Sequence, residues 1–109
     1  MIGKLRHRVI LQKQVVIKDS IGQETEEWQD IATVWGRVEP LSGKEYFNAK
    51  QTNSEVSSKI TIRYLVDITS HMRVIFQEHT YNILSVINFE ERNKYLQLLC
   101  TEKLGEEDD

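Results

Sequence analysis

The sequence predicts an all-β fold: a small six-stranded antiparallel β-barrel with one short helix or loop insertion at about residues 43–51. Three observations predict it. Apolar residues recur with a period of two along most of the chain, as at Leu5, Val9 and Leu11 or at Ile60, Ile62 and Tyr64. Clusters of turn-forming residues break these runs at Asp19-Ser20-Ile21-Gly22, at Gln51-Thr52-Asn53-Ser54 and from Asn88 to Asn93. Finally, a chain of 109 residues fills one modest core. Closing six short strands into a barrel also removes their exposed edges, which an open sandwich, the alternative, leaves free.

The elements follow in order. Leu5 to Leu11 alternates apolar residues with Arg6 and Arg8, and the strand continues through Val15-Val16-Ile17. After the Asp19–Gly22 turn, Thr25 to Val38 reads as a second long strand. Trp28, Ala32, Val34 and Val38 share one parity there, and Trp35 and Arg37 take the other, subject to any bulge. Pro40 ends the ladder because it has no amide proton. Ser42 and Glu45 have the spacing of a capping box, which predicts a helix of about two turns over 43–51, with Tyr46, Phe47 and Lys50 on it. Lys59 to Tyr64 restores strict alternation. Met72–Phe76, Thr80–Ile87 and Tyr95–Thr101 then form a three-stranded antiparallel meander, with one turn near Glu78-His79. The expected core comprises Val9, Leu11, Val34, Trp35, Ile60, Ile62, Leu96 and Leu98, so that Trp35→Ala is expected to act through folding.

Residues 1–104 are expected to form a single domain, followed by a disordered acidic tail over 105–109. Met1 to Leu11 is charged and alternating, unlike a signal peptide, and no apolar run approaches a membrane span. Synthesis in the cytoplasm and no membrane partner are expected. The formal charge is −3, whereas a general affinity for nucleic acid calls for a basic excess. Cys100 is the single cysteine and lies in the apolar run Leu96–Cys100, as a buried small hydrophobe does. His7, His71 and His79 show no metal-ligand spacing. No glycine-rich phosphate loop or nucleophile turn is present. The expectation is therefore no catalytic residue, no metal and no cofactor. Trp28 and Trp35 as base-stacking platforms, with Arg37 and Arg63 on phosphates, form a weaker reading, since the sequence does not interleave basic residues with those aromatics.

A set of short motifs in a fixed order adds to this. Leu5-Arg6-His7-Arg8 opens the first strand, and Asp19 to Gly22 is followed by Gln23. Trp28 precedes Val34-Trp35, and Val38-Glu39-Pro40-Leu41-Ser42-Gly43-Lys44-Glu45 follows. Thr61-Ile62-Arg63-Tyr64, Met72-Arg73-Val74, Tyr81 with Ile83, and Leu96, Leu98 and Cys100 complete the series. From Gly3 to about Glu102 the chain resembles the head-tail joining family of tailed bacteriophages, also called head-closure or stopper proteins. The resemblance implies a small β-barrel in a phage or prophage virion. It implies assembly as a ring at the portal vertex, closure of the DNA channel after packaging and a docking surface for the tail.

The implied partners are portal or adaptor proteins, tail proteins and further copies of the chain in a ring within the virion, with a monomer expected for the isolated protein. DNA would pass without specific binding. The resemblance also implies a channel-gating arm between Leu41 and Ser57, carrying Ser42, Gly43, Lys44, Glu45, Tyr46, Phe47, Asn48 and Gln51. Arg6, Arg8, Arg37 and Arg63 are the cations of the pattern and are expected to bridge subunits or the adaptor rather than grip DNA. A tail-completion or tail-terminator role is the alternative virion assignment, and a nucleic-acid-binding barrel is the more distant one.

Overall fold

The computed structural model describes residues 5–41 and 56–103. Six strands account for most of them: β1 (His7–Lys18), β2 (Glu24–Pro40), β3 (Ser58–Arg63), β4 (Arg73–Phe76), β5 (His79–Asn88) and β6 (Tyr95–Lys103). All neighbours are antiparallel, and the sheet closes as a barrel in the order β1-β2-β3-β6-β5-β4. The expected meander is β4-β5-β6. Short β4 completes the circle by pairing Val74 with Leu11 and Ile75 with Ile10. The insertion expected at 43–51 lies outside the described residues.

Alternation fills the interior. Val9 and Leu11 of β1, Ile60 and Ile62 of β3, Val74 of β4, and Leu98 and Cys100 of β6 are wholly buried. Met72, Tyr81, Ile83 and Leu96 are nearly so. Each large apolar side chain placed here contributes about 1.5–3 kcal/mol. Val34 is half-buried and packs against this cluster from β2. Gly36 is buried because its neighbours come close: a Cβ there would lie 3.1 Å from Ile62 Cγ2 and 3.1 Å from the Thr61 carbonyl oxygen.

Two findings correct the expected faces. Trp35 is 53% exposed and is not a core residue. Val34 and Val38 point inward, and a period of two turns the residue after Val34 to the outside. The second correction is a bulge. Leu11 pairs with Ala32 but Gln12 pairs with Asp30, so Ile31 is the extra residue of β2. One extra residue reverses parity. Trp28 therefore lies opposite Gln14 on the outer face and does not share the inward side of Ala32 and Val34.

Turn chemistry sets the connections. The Asp19 carboxylate accepts the Ile21 and Gln23 amides at 3.0 and 2.9 Å, and Gly22 takes φ +86°, which together close the β1–β2 hairpin. Gln77 and Glu78 link β4 to β5, with His79 already paired to Phe76. Between β5 and β6 the Asn88 and Asn93 side chains bond at 2.6 Å, and Asn88 Oδ1 accepts the Asn93 amide at 3.0 Å. At the other end of β2 the last pair is Pro40 with Ser58, and the Leu41 amide then donates to the Ser57 carbonyl at 3.3 Å.

The hairpin is longer than the barrel. β1 touches β4 only from Ile10 to Gln12, and β2 touches β3 only from Gly36 to Pro40. Past Gln12 the two strands pair only with each other, out to Lys18 and Glu24. Six residues at about 3.3 Å each make a ribbon of about 20 Å beyond the closed sheet. The molecule accordingly measures 52 × 28 × 24 Å.

Candidate assembly surface

The outer face of the barrel is where this chain places its charged and aromatic side chains together. Arg8 and Trp35 are a registered pair on β1 and β2, and the Arg8 guanidinium lies 5.0 Å from the Trp35 ring centre. Arg63 and Tyr95 are a registered pair on β3 and β6, with the guanidinium 6.0 Å from the ring. Gly36 pairs with Ile62, so Trp35 and Arg63 occupy the next positions on adjacent strands. The result is one row across four strands: Arg8, Trp35, Arg63, Tyr95. Each cation sits over a ring face, whose quadrupole attracts it by about 0.5–1 kcal/mol at exposed sites. Beside the row, Arg63, Tyr64, Asn93, Lys94 and Tyr95 line an open concavity of about 520 Å³.

The other two cations of the sequence pattern lie toward the Pro40 end. Arg6, His7, Arg37, Val38 and Glu39 line a second concavity of about 250 Å³. Arg37 Nε lies 3.5 Å from Glu39 Oε2, a partly exposed pair that water screens. His7 is a structural member of this group. Its Nδ1 accepts the Val38 amide at 3.0 Å, which places the proton of the neutral ring on Nε2. The four cations Arg6, Arg8, Arg37 and Arg63 thus divide between the row and this concavity. The residues expected on a gating arm, Ser42 to Asn48 and Gln51, lie outside the described residues.

A third cluster was not anticipated. Arg73 lies 4.2 Å over the Trp28 ring. Its Nε donates to Gln12 Oε1 at 2.7 Å, and Gln12 Nε2 donates to Asp30 Oδ1 at 2.6 Å. This chain of contacts joins β4, β1 and β2 at the base of the projecting hairpin. Spacing concealed it, because Arg73 and Trp28 meet only through closure of the barrel and the bulge at Ile31. Both tryptophans therefore carry an arginine that lies far from them, or on another strand, in the sequence.

Reactive groups are few. Burial pushes the Cys100 thiol up to about 12, and Sγ donates to the Leu98 carbonyl at 3.4 Å. A thiol held neutral is a poor nucleophile. Burial, and then the Glu102 carboxylate, also raise the Tyr81 phenol. His79 Nδ1 lies 2.6 Å from Glu102 Oε2 on the exposed side of that cluster. Among the described residues no group of three or more His, Cys, Asp or Glu converges as metal ligands.

The architecture defines a class: a small closed β-barrel with its charged and aromatic chemistry on the outer surface and a two-stranded ribbon extending from one end. The family model for the phage head completion protein matches residues 1–103. The chain belongs to that family, and with it to the structural proteins of the phage particle that join head and tail. Two solved structures are similar. The solution structure of protein SF1141 from Shigella flexneri 2a is 28% identical, with a TM-score of 0.76, over 93% of this chain and 95% of that one. A chain of the virion of a native gene transfer agent particle is 17% identical, with a TM-score of 0.62, over 94% of this chain and 99% of that one, and shares the fold. No curated protein sequence matches the chain.

Proposed function

We propose that this protein assembles as a ring at the portal vertex of a filled phage head, closes the DNA channel and presents the surface on which the tail docks. The observation that carries the reading is the family match across the whole described barrel. The geometry supports it in two ways. The outer face offers cations and rings suited to protein neighbours, at the positions the sequence pattern marks. In addition, the segment between β2 and β3 leaves and rejoins the barrel at one point, where the Leu41 amide bonds the Ser57 carbonyl. A 17-residue segment anchored in this way reaches at most about 28 Å when folded back on itself.

The gating step is physical. Copies of the 41–57 segment meet near the ring axis and pair backbone groups, as exposed strand edges do. Modest contacts add around a ring because each is held in place by its neighbours. The outer cations serve subunit and adaptor contacts, and a channel not lined by them lets phosphate slide.

Deletion of residues 44–54 tests the gate. The expected result is a folded barrel that still docks on packaged heads but lets DNA leak. Heads that retain their DNA with the deleted protein in place would remove the gating role.

A further inference from the structure

We propose that the β1–β2 ribbon of one copy lies across the Arg8–Trp35–Arg63–Tyr95 row of a second copy, joining subunits head to tail; the place of this contact in a ring rests on the function proposed above.

The ribbon, residues 13–30, is incomplete as it stands. It pairs on one side only, and Val16, Ile17 and Ile21 are 60, 42 and 83% exposed. An isolated two-stranded ribbon is marginal in water, and a surface that covers its exposed apolar side chains stabilises it. Its charge is also one-sided. Lys13 and Lys18 stand against Asp19, Glu24, Glu26, Glu27 and Asp30. Lys18 lies 4.0 Å from Glu24, and Asp30 is held by Gln12. Glu26 and Glu27, opposite Val16 and Val15, have no ion-pair partner among the described residues.

The rest of the described chain has the opposite sign, with nine Lys and Arg against six Asp and Glu. The row concentrates that charge beside apolar surface. Arg8 and Arg63 alternate with two rings, Trp35 is 53% exposed, and Lys94 lies at the edge of the adjoining concavity. Val16 and Glu26 are registered partners and share one face of the ribbon, while Val15 and Glu27 share the other. Either face sets a valine beside a carboxylate, as the row sets a ring beside an arginine. The carboxylate of the face that docks then meets a guanidinium while its valine covers a ring.

The contact is between molecules. Glu26 is nine residues from Trp35 along β2, about 30 Å in an extended strand, and the ribbon runs away from the barrel. It does not reach the row of its own copy. A contact between two different patches is heterologous and repeats from copy to copy until a ring closes.

Two measurements on the full chain test this. In the first, isotope-labelled and unlabelled protein are mixed at low salt and coupled with a zero-length carbodiimide, which joins carboxylates to amines. Mixed-isotope links from Glu26 or Glu27 to Lys94 are expected. Links confined to single chains, or none from the ribbon, overturn the proposal. In the second, charge reversals are read by sedimentation, with thermal melts as folding controls. Glu26→Lys with Glu27→Lys, and separately Arg8→Glu with Arg63→Glu, are expected to abolish self-association, and the combination of all four to restore it. Association unchanged by either pair overturns the contact. Ribbon variants that dock on heads as the wild type does also remove it, leaving the connector function standing. Ribbon-to-row links in a protein that never docks on heads retain the contact and remove the connector function.

Discussion

Gly36 is the position where one methyl group should be felt most. It is the first residue of β2 to pair with β3, between His7 of β1 and Ile62 of β3. A Cβ at this position would lie 3.1 Å from Ile62 Cγ2, 3.1 Å from the Thr61 carbonyl oxygen and 3.4 Å from Val9 Cγ2. None of these yields easily. Val9 and Ile62 are wholly buried and β-branched, hence stiff at χ1, and the Thr61 backbone is locked in the ladder opposite Arg37. Overpacking of this kind costs about 1–3 kcal/mol. Against it stands the entropy that alanine removes from the unfolded chain, worth about 0.4–1 kcal/mol. Gly36→Ala should therefore destabilise by about 1–2 kcal/mol, which lowers Tm by roughly 4–16 °C for a domain of this size. Thermal unfolding followed by circular dichroism measures it. An unchanged or raised Tm refutes the close-packing argument. Gly22→Ala is the contrasting case. Its Cβ would meet nothing within 4 Å, but φ is +86°, so its cost of about 1 kcal/mol is backbone strain alone.

Three other outcomes are expected. Leu98→Ala, at a wholly buried position between Ile60 and Val86, should cost about 2–5 kcal/mol in urea unfolding. Arg63→Glu, at an exposed position, should stay within about 0.5 kcal/mol of the wild type in stability yet lose docking to packaged heads; unchanged docking counts against the row as an interface. Stability should fall at alkaline pH. The Cys100 thiol ionises near 9.0 when unfolded and near 12 when folded, so between these values the unfolded chain has released a proton that the native state keeps. The sign is negative as pH rises, by at most about 1.4 kcal/mol per pH unit, with no contribution below that window. The raised Tyr81 phenol acts in the same direction above its ordinary value of 10.0. Urea midpoints from about pH 8 to 11 should fall less steeply for Cys100→Ala than for the wild type, and equal slopes refute the assignment.

Much of this fold is legible in the sequence, for identifiable reasons. Ile60, Ile62, Leu96 and Leu98 alternate cleanly, and their strands pair as β3 and β6. Asp19 and Gly22 mark the hairpin turn they form. Pro40 marks the end of the β2 ladder. The bulge was not legible, because Gln29-Asp30-Ile31-Ala32 carries no glycine or other signal for an extra residue, and the face of Trp28 was misread with it. Trp35 is a different case. Its outward parity was readable beside Val34, but a large aromatic on a strand suggested core. The candidate surface was partly visible as cations in a motif order. Their seating on Trp35 and Tyr95, and that of Arg73 on Trp28, depends on strand order and closure, which spacing along the chain does not encode.

The head-closure function is tested most directly by mixing the protein with DNA-filled, tail-less phage heads and imaging the portal vertex, alongside a titration with DNA at low salt. Added density at the vertex, with no affinity for DNA free in solution, is the predicted result. A bare vertex together with salt-sensitive DNA binding would contradict the account and assign the outer row of arginines and rings to nucleic acid.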